Sequence, residues 1–164
     1  MTTQPHSTVL VVDDNPAILR LVARNLQSTA EVIGVAGRDE ALKAFDEVPP
    51  LVAFIDIHLG EGTPDGVALV KRIREFDNET PICMLSADRT PGALIDCLMA
   101  GANDYIWKGC INPTVGEAMK QAVFRLRDDT APKGDPITDN SILQSRGLTA
   151  SQLSLLADFA RAGF

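Results

Sequence analysis

A parallel β-sheet covered by helices on both faces is the fold this sequence predicts, and two observations carry that expectation. Short apolar runs of strand length alternate with stretches at helical spacing, five times over between Thr8 and Leu126, which is the pattern of consecutive strand–helix units joined by right-handed crossovers. The runs are also continuously apolar, as strands buried on both faces must be. The clearest is Leu51-Val52-Ala53-Phe54-Ile55, which closes on Asp56 and is followed by a loop containing Gly60, Gly62, Pro64 and Gly66. A strand of that kind delivers one side chain to the rim of the sheet, where α/β folds build their sites.

The other elements follow in order. Thr8-Val9-Leu10-Val11-Val12 is a buried-strand candidate ending on Asp13-Asp14. Asn15-Pro16 then offers a helix cap and a first-turn proline, ahead of Ile18, Leu21, Val22 and Leu26 at helical spacing. Glu31 to Ala36 reads as a strand and Asp39 to Phe45 as a short helix. Leu69, Val70, Ile73 and Phe76 form one helical stripe, with Lys71, Arg72, Arg74 and Glu75 on the opposite, wet face. Ile82 to Leu85 is the fourth strand and closes on Ser86. Thr90-Pro91 opens a helix carrying Leu94, Ile95, Leu98 and Met99 that stops at Gly101. Tyr105-Ile106-Trp107 is the fifth strand and closes on Lys108. Asn112-Pro113 opens the last helix of the domain, with Val115, Ala118, Met119, Ala122, Val123 and Leu126 inward.

Composition narrows the function classes. The 164 residues are 45% hydrophobic, enough for one core, and no apolar run approaches the ~20 residues of a membrane span. MTTQPHS has no basic region followed by an apolar stretch, so no secretory signal is expected. Cys83, Cys97 and Cys110 are odd in number and lack Cys-x-x-Cys spacing, which suits small core residues in a reduced, cytoplasmic setting. A formal charge of −7 argues against a broad nucleic-acid footprint, since phosphate binding needs clustered Lys and Arg.

The chemistry lies at the strand ends. In a parallel sheet every carboxyl end lies on one edge, so Asp13, Asp14, Asp56, Ser86 and Lys108 can converge. Two unit charges ~4 Å apart repel by about 4 kcal/mol at an effective dielectric near 20, so three gathered carboxylates call for a cation. All-oxygen ligation suits Mg²⁺ better than zinc. Lys108 adds a fixed positive charge and Ser86 a hydroxyl that can rotate to a new acceptor. Metal, ammonium and hydroxyl around one carboxylate are the parts needed for in-line transfer of a phosphoryl group onto Asp56.

Those residues, in that order on successive strands, resemble the receiver domain of two-component response regulators. Gly101-Ala102-Asn103-Asp104-Tyr105-Ile106-Trp107-Lys108 is similar to that family's Gly-Ala-x-Asp-Tyr-x-x-Lys run, and Asp65-Gly66 to its Asp-Gly after the acceptor. The resemblance implies a doubly wound, flavodoxin-like sheet of strand order 2-1-3-4-5 over residues 1–127. It implies Asp56 as phosphoacceptor, and Mg²⁺ held by Asp13, Asp14, Asp56 and the backbone carbonyl of His58. Ser86 would move to the phosphoryl oxygen, Lys108 would pair with it, and Tyr105 would swing inward as Ser86 moves. His58 and Asp88 stand where the family tunes acyl-phosphate lifetime, although a solvated loop is the plainer reading of His58. Trp107 reads as core or rim filler beside the site. The implied partner is a histidine kinase or phosphotransfer protein, and the chain would be a phosphoacceptor with slow self-dephosphorylation rather than an enzyme. A homodimer is left open.

Two features depart from the family pattern. The acceptor loop from His58 to Asp65 is longer and richer in glycine, and Gly109 stands where a proline is usual after the lysine. Glycine frees the backbone, so greater mobility at 108–109 and an altered reach for Lys108 are expected. Two other functions share some of these parts. A haloacid-dehalogenase-like phosphohydrolase would put its nucleophile on the first strand with a second acid two residues on, and position 15 is Asn. A phosphorylation-independent interaction module on the same fold would be favoured by loss of an acid or of the lysine; none is lost, and Gly109 keeps that reading open.

Residues 128–147 read as a linker and 148–164 as a C-terminal helical extension. Thr149 and Gln152 fit a capping box, with Leu153, Leu156, Phe159 and Ala160 on one face. This segment is an amphipathic docking helix, or the truncated start of an output domain, since it resembles the opening helix of a LuxR-type helix-turn-helix domain. Residues 128–164 hold three basic and five acidic residues, so the chain as given is not expected to bind DNA.

Overall fold

A computed structural model describes residues 8–60, 65–87, 91–109 and 114–127. The linker, the C-terminal extension, Cys110, Asn112-Pro113 and the centre of the acceptor loop lie outside those residues. Five strands and five helices alternate: β1 Thr8–Val12, α1 Pro16–Leu26, β2 Glu31–Val35, α2 Arg38–Glu47, β3 Val52–Asp56, α3 Asp65–Arg74, β4 Ile82–Ser86, α4 Pro91–Ala100, β5 Asp104–Trp107 and α5 Val115–Arg127. The strands form one parallel sheet in the order β2-β1-β3-β4-β5, as the sequence predicts.

The apolar runs explain the layering, because successive side chains of a strand point to opposite faces. Leu10, Val12, Ala53, Ile55 and Met84 pack with Phe45 of α2, Leu69, Val70 and Ile73 of α3 and Cys97 of α4. Val9, Val11, Phe54, Cys83, Leu85 and Ile106 face the other way, onto Val22 and Leu26 of α1 and Met119, Val123 and Leu126 of α5. The central strands β1, β3 and β4 are buried along their whole length. The edge strand β2 exposes Glu31, Ile33 and Gly34, so its assignment rests on pairing with β1 more than on burial.

Helix starts are set by local chemistry. Asn15 caps α1, its Oδ1 accepting from the Ala17 N–H at 2.9 Å, with Pro16 in the first turn. At α5 the cap is Thr114. The Thr114 N–H donates to Glu117 Oε2 at 3.0 Å, and the Glu117 N–H to Thr114 Oγ1 at 3.4 Å, a reciprocal capping box. Gly101 ends α4 with φ +112°, a conformation that glycine adopts without a steric penalty.

The structure corrects the reading of α3 at two positions. Phe76 lies beyond the end of the helix and is 53% exposed, its ring edge-on to Phe45 at 6.4 Å between centroids. Arg74 does not sit on the wet face. Its guanidinium donates to the carbonyls of Gly101 (3.0 Å), Asp77 (3.1 Å) and Thr80 (2.9 Å) and to Asn103 Oδ1 (3.0 Å). Asn103 Oδ1 also accepts from the Ile82 N–H at 2.9 Å. One planar, forked cation thus ties the end of α3 to the start of β4 and to the turn before β5. Arg74→Ala strands these partly buried acceptors and is expected to lower stability by about 3 kcal/mol, measured as the shift in urea unfolding. Arg74→Lys, a point charge without the fork, is expected to recover less than half of that loss.

Candidate functional site at the carboxyl edge of the sheet

Two adjacent strand ends, those of β1 and β3, bring the acids together. Asp13 follows β1, and its backbone N–H donates to Val35 O of β2 at 3.0 Å, so the ladder holds its main chain. Asp56 is the last residue of β3 and pairs in register with Leu85. One carboxylate oxygen from each of Asp13, Asp14 and Asp56 lies within 4.8 Å of the others. Asp13 and Asp56 are buried and Asp14 is exposed, so the cluster opens to water through Asp14.

Lys108, just past β5, reaches in from the other side. Its backbone N–H donates to Ser86 O at 2.7 Å, which extends the β4–β5 ladder by one residue. Its Nζ donates to Asp56 Oδ2 at 2.7 Å and stands 2.6 Å from Asp13 Oδ2. The contact with Asp13 is a charge contact outside hydrogen-bonding direction, so Asp13 Oδ2 is buried without a hydrogen bond. The other oxygens are spoken for. Asp13 Oδ1 accepts from the Asn15 N–H at 2.9 Å, and Asp56 Oδ1 from the His58 N–H at 3.3 Å. Glycine after the lysine therefore does not keep Lys108 from the acids.

The electrostatics follow from burial. Loss of water pushes the Asp56 carboxyl above its ordinary range. The Lys108 bond and charge oppose that rise, Asp13 adds to it, and the His58 N–H opposes it. Burial alone would lower the Lys108 ammonium, but its contacts with Asp13 and then Asp56 outweigh that and hold it above the usual lysine value. The site thus keeps its cation firmly charged while the ionised form of Asp56 is held at a disadvantage. One lysine does not neutralise three carboxylates, and Asp13 Oδ2 is left with spare acceptor capacity. The donor set, oxygens only, fits a small hard dication.

Gly66 gives the Asp65-Gly66 pair a physical reason. The Gly66 N–H donates to Ile57 O at 2.8 Å, and a Cβ at this position would fall 1.8 Å from the carbonyl oxygen of Asp56. The start of α3 lies directly against the main chain of the third acid, and only a residue without a side chain allows it.

The remaining sequence candidates are placed as follows. Ser86 ends β4 and is fully buried, paired in register with Trp107. Tyr105 is partly buried against the cluster formed with α2, α3 and α4. His58 is exposed, with its backbone N–H on Asp56. Asp88 lies outside the described residues. Cys83 and Cys97 are buried thiols outside any disulfide among the described residues, and burial followed by the nearby Asp96 charge pushes the Cys97 thiol up to about 12. An unreactive core thiol results. Two features escaped sequence reading: the steric demand at Gly66 and the placement of the Trp107 indole over Gly109, taken up below.

A sheet of this order with three acids, a hydroxyl and a lysine at its carboxyl edge defines a receiver, and the chain belongs to the response regulator receiver domain family, whose profile matches residues 9–120. It is similar to the transcriptional regulatory protein PrrA of Mycobacterium bovis, 36% identical over 124 residues that cover 75% of this chain and 52% of that protein. It is also similar to a protein-glutamate methylesterase/protein-glutamine glutaminase of Trichodesmium erythraeum, 34% identical over 79% of this chain and 36% of that protein. Among solved structures, a response regulator from Thermotoga maritima superposes with a TM-score of 0.62 at 28% identity, over 73% of this chain and 98% of that one. The chain thus spans a third to a half of the length of these two curated relatives. No described helix is long and apolar enough to cross a membrane.

Proposed function

We propose that this receiver domain is switched by phosphorylation of Asp56, with Mg²⁺ held by Asp13, Asp14 and Asp56 and the His58 backbone carbonyl as a further ligand. The observation that carries the reading is the buried Asp13–Lys108–Asp56 contact, with a third acid open to water beside it. Bound Mg²⁺ would supply charge neutralisation, letting an anionic phosphoryl group approach a carboxylate.

The chain's own residues supply the rest. A carboxylate oxygen of Asp56 attacks phosphorus, and the new O–P bond forms as the bond to the leaving group breaks. That leaving group is the imidazole of a phosphohistidine, which departs neutral because its other ring nitrogen carries a proton while the first takes the electron pair of the broken P–N bond, or the carboxylate of a small acyl phosphate. Lys108 already donates to Asp56 Oδ2, so it is poised to follow the charge that develops on the phosphoryl oxygens. Ser86 at the end of β4 takes a second oxygen, and Tyr105 packs inward as Ser86 moves, a two-state element biased by a local charge event. His58 and Asp88 tune the lifetime of the acyl phosphate. The donor is a histidine kinase or phosphotransfer protein, and the chain acts as a phosphoacceptor with slow self-hydrolysis. The output it controls belongs to whatever this surface contacts, a second copy included.

Exposure to acetyl phosphate in Mg²⁺ is expected to add one phosphate to the intact mass. Excess chelator abolishes the gain, and so does Asp56→Asn. Undiminished labelling of the variant, or of wild type in chelator, would overturn the assignment.

A further inference from the structure

Lys108 must be held where it touches both buried acids, and the residue after it is a glycine. Glycine is not demanded there by the backbone, because positive φ occurs only at Gly60 and Gly101 among the described residues. The demand comes from Trp107. A Cβ on Gly109 would lie 2.3 Å from Trp107 Cζ2, 2.5 Å from Cε2 and 2.9 Å from Cη2, so the six-membered ring of the indole lies directly against the Gly109 main chain. The other side of the indole is anchored too: its Nε1–H donates to Ala87 O at 3.3 Å.

Ala87 follows Ser86, and Gly109 follows Lys108. One side chain therefore touches the first residue beyond β4 and the second beyond β5. Those two strand ends carry the hydroxyl and the ammonium of the site. Between them the Lys108 N–H donates to Ser86 O at 2.7 Å. Lys108 is thus fixed on its amino side by the sheet and on its carboxyl side by an indole seated on a backbone that glycine would otherwise leave loose.

We propose that Trp107 is the positioning residue for Lys108, and that Trp107 and Gly109 act as one unit that sets where the ammonium sits. The proposal rests on the reading of Asp56 as acceptor. It gives Trp107 a role beyond that of a filler, and in it the indole takes up the slack that glycine leaves at 108–109. Trp107→Val removes the ring while keeping a strand-compatible residue, and Trp107→Phe keeps a ring over Gly109 while losing the donor to Ala87. Gly109→Ala drives a methyl into the indole, and only where an indole is present.

The experiment measures the rate of labelling by acetyl phosphate at saturating Mg²⁺, and Mg²⁺ affinity by calorimetry, for these variants and for the Trp107→Val/Gly109→Ala pair. A displaced ammonium slows labelling but does not weaken binding of a cation to the acids, whereas general damage to the site lowers both. Trp107→Val is expected to label about tenfold more slowly, of the order expected for misplacing a group by under 1 Å, with Mg²⁺ bound no more weakly than in wild type. Trp107→Phe should recover most of the rate. Gly109→Ala should slow labelling in the presence of Trp107 and add nothing in the Trp107→Val background, a coupling that independent sites do not show. Labelling of Trp107→Val at the wild-type rate, a parallel loss of rate and Mg²⁺ affinity, or additive effects at 107 and 109 would each overturn the proposal. If wild type itself takes no label, the acceptor reading fails instead. The positioning unit is then judged by thermal unfolding, where coupling between 107 and 109 supports it and additivity overturns it.

Discussion

Gly66→Ala is expected to destabilise the domain by at least about 3 kcal/mol and to disable the site with it. The added methyl would fall 1.8 Å from Asp56 O, 2.8 Å from Asp56 C and 2.9 Å from Ile57 Cα. These are backbone atoms of β3 and its extension, so no rotamer change relieves the clash. Either the start of α3 lifts away, losing the Gly66 N–H to Ile57 O bond and part of the packing of Val67, Leu69 and Val70, or the end of β3 shifts and takes the Asp56 carboxylate with it. Overpacking in a core costs about 1–3 kcal/mol when side chains can yield, and here they cannot. Urea unfolding of the variant should show a lower midpoint with an unchanged slope, which marks lost stability rather than a changed unfolded state. A wild-type midpoint would mean that α3 does not press on Asp56.

Lys108→Ala is expected to separate metal binding from phosphoryl transfer by moving them in opposite directions. Among the described residues, Lys108 is the cation in contact with the Asp13 and Asp56 carboxylates. Its loss leaves two buried carboxylates facing each other. Removing one partner of a buried ion pair costs about 3–5 kcal/mol. A loss near 2 kcal/mol is expected without metal, because water reaches this cluster past exposed Asp14. Mg²⁺ should then bind more tightly than in wild type, since no ammonium repels it, and should restore more thermal stability to the variant than it adds to the parent. Labelling by acetyl phosphate should nonetheless fall about a hundredfold, the usual scale for losing one charge-stabilising donor. Calorimetry and labelling on the same samples check both signs. Weaker Mg²⁺ binding in the variant would mean that Lys108 organises the acids rather than competing with the metal for them.

Most of the fold and the core of the site could be read from the sequence because both depend on short-range pattern. Strands β1, β3 and β4 are buried on both faces, so they appear as unbroken apolar runs, and the residue that ends each run falls on one edge of the sheet. That is why Asp13, Asp56, Ser86 and Lys108 could be placed together before any geometry was available. What the pattern missed is non-local or steric. Arg74 has the spacing of a solvated helix face, and its acceptors at Gly101 and Asn103 lie 27 and 29 residues away. Periodicity within α3 carries no information about them. Phe76 has the right spacing for the α3 stripe, but the helix ends at Arg74, so its ring emerges at an angle the periodicity does not describe. Gly66 and Gly109 could be seen as motif and departure respectively, yet the reason for each is an approach of under 2.5 Å by an imagined Cβ, which only coordinates reveal. The Thr114–Glu117 box at the start of α5 has the Thr-x-x-Glu pattern, whereas the sequence reading opens that helix at Asn112-Pro113, which lies outside the described residues.

The central claim is that Asp56, among all the acids gathered at this edge, carries the phosphoryl group, and hydride trapping tests it at residue level. The protein is phosphorylated by acetyl phosphate in Mg²⁺ and reduced with borohydride, which converts an aspartyl phosphate to homoserine and leaves free carboxylates untouched. Peptide sequencing by mass spectrometry then locates the change. Homoserine at position 56 alone, absent when chelator is present, is the expected result. Homoserine at position 13 or 14, or unmodified aspartate at all three positions in protein that has gained a phosphate, would contradict it.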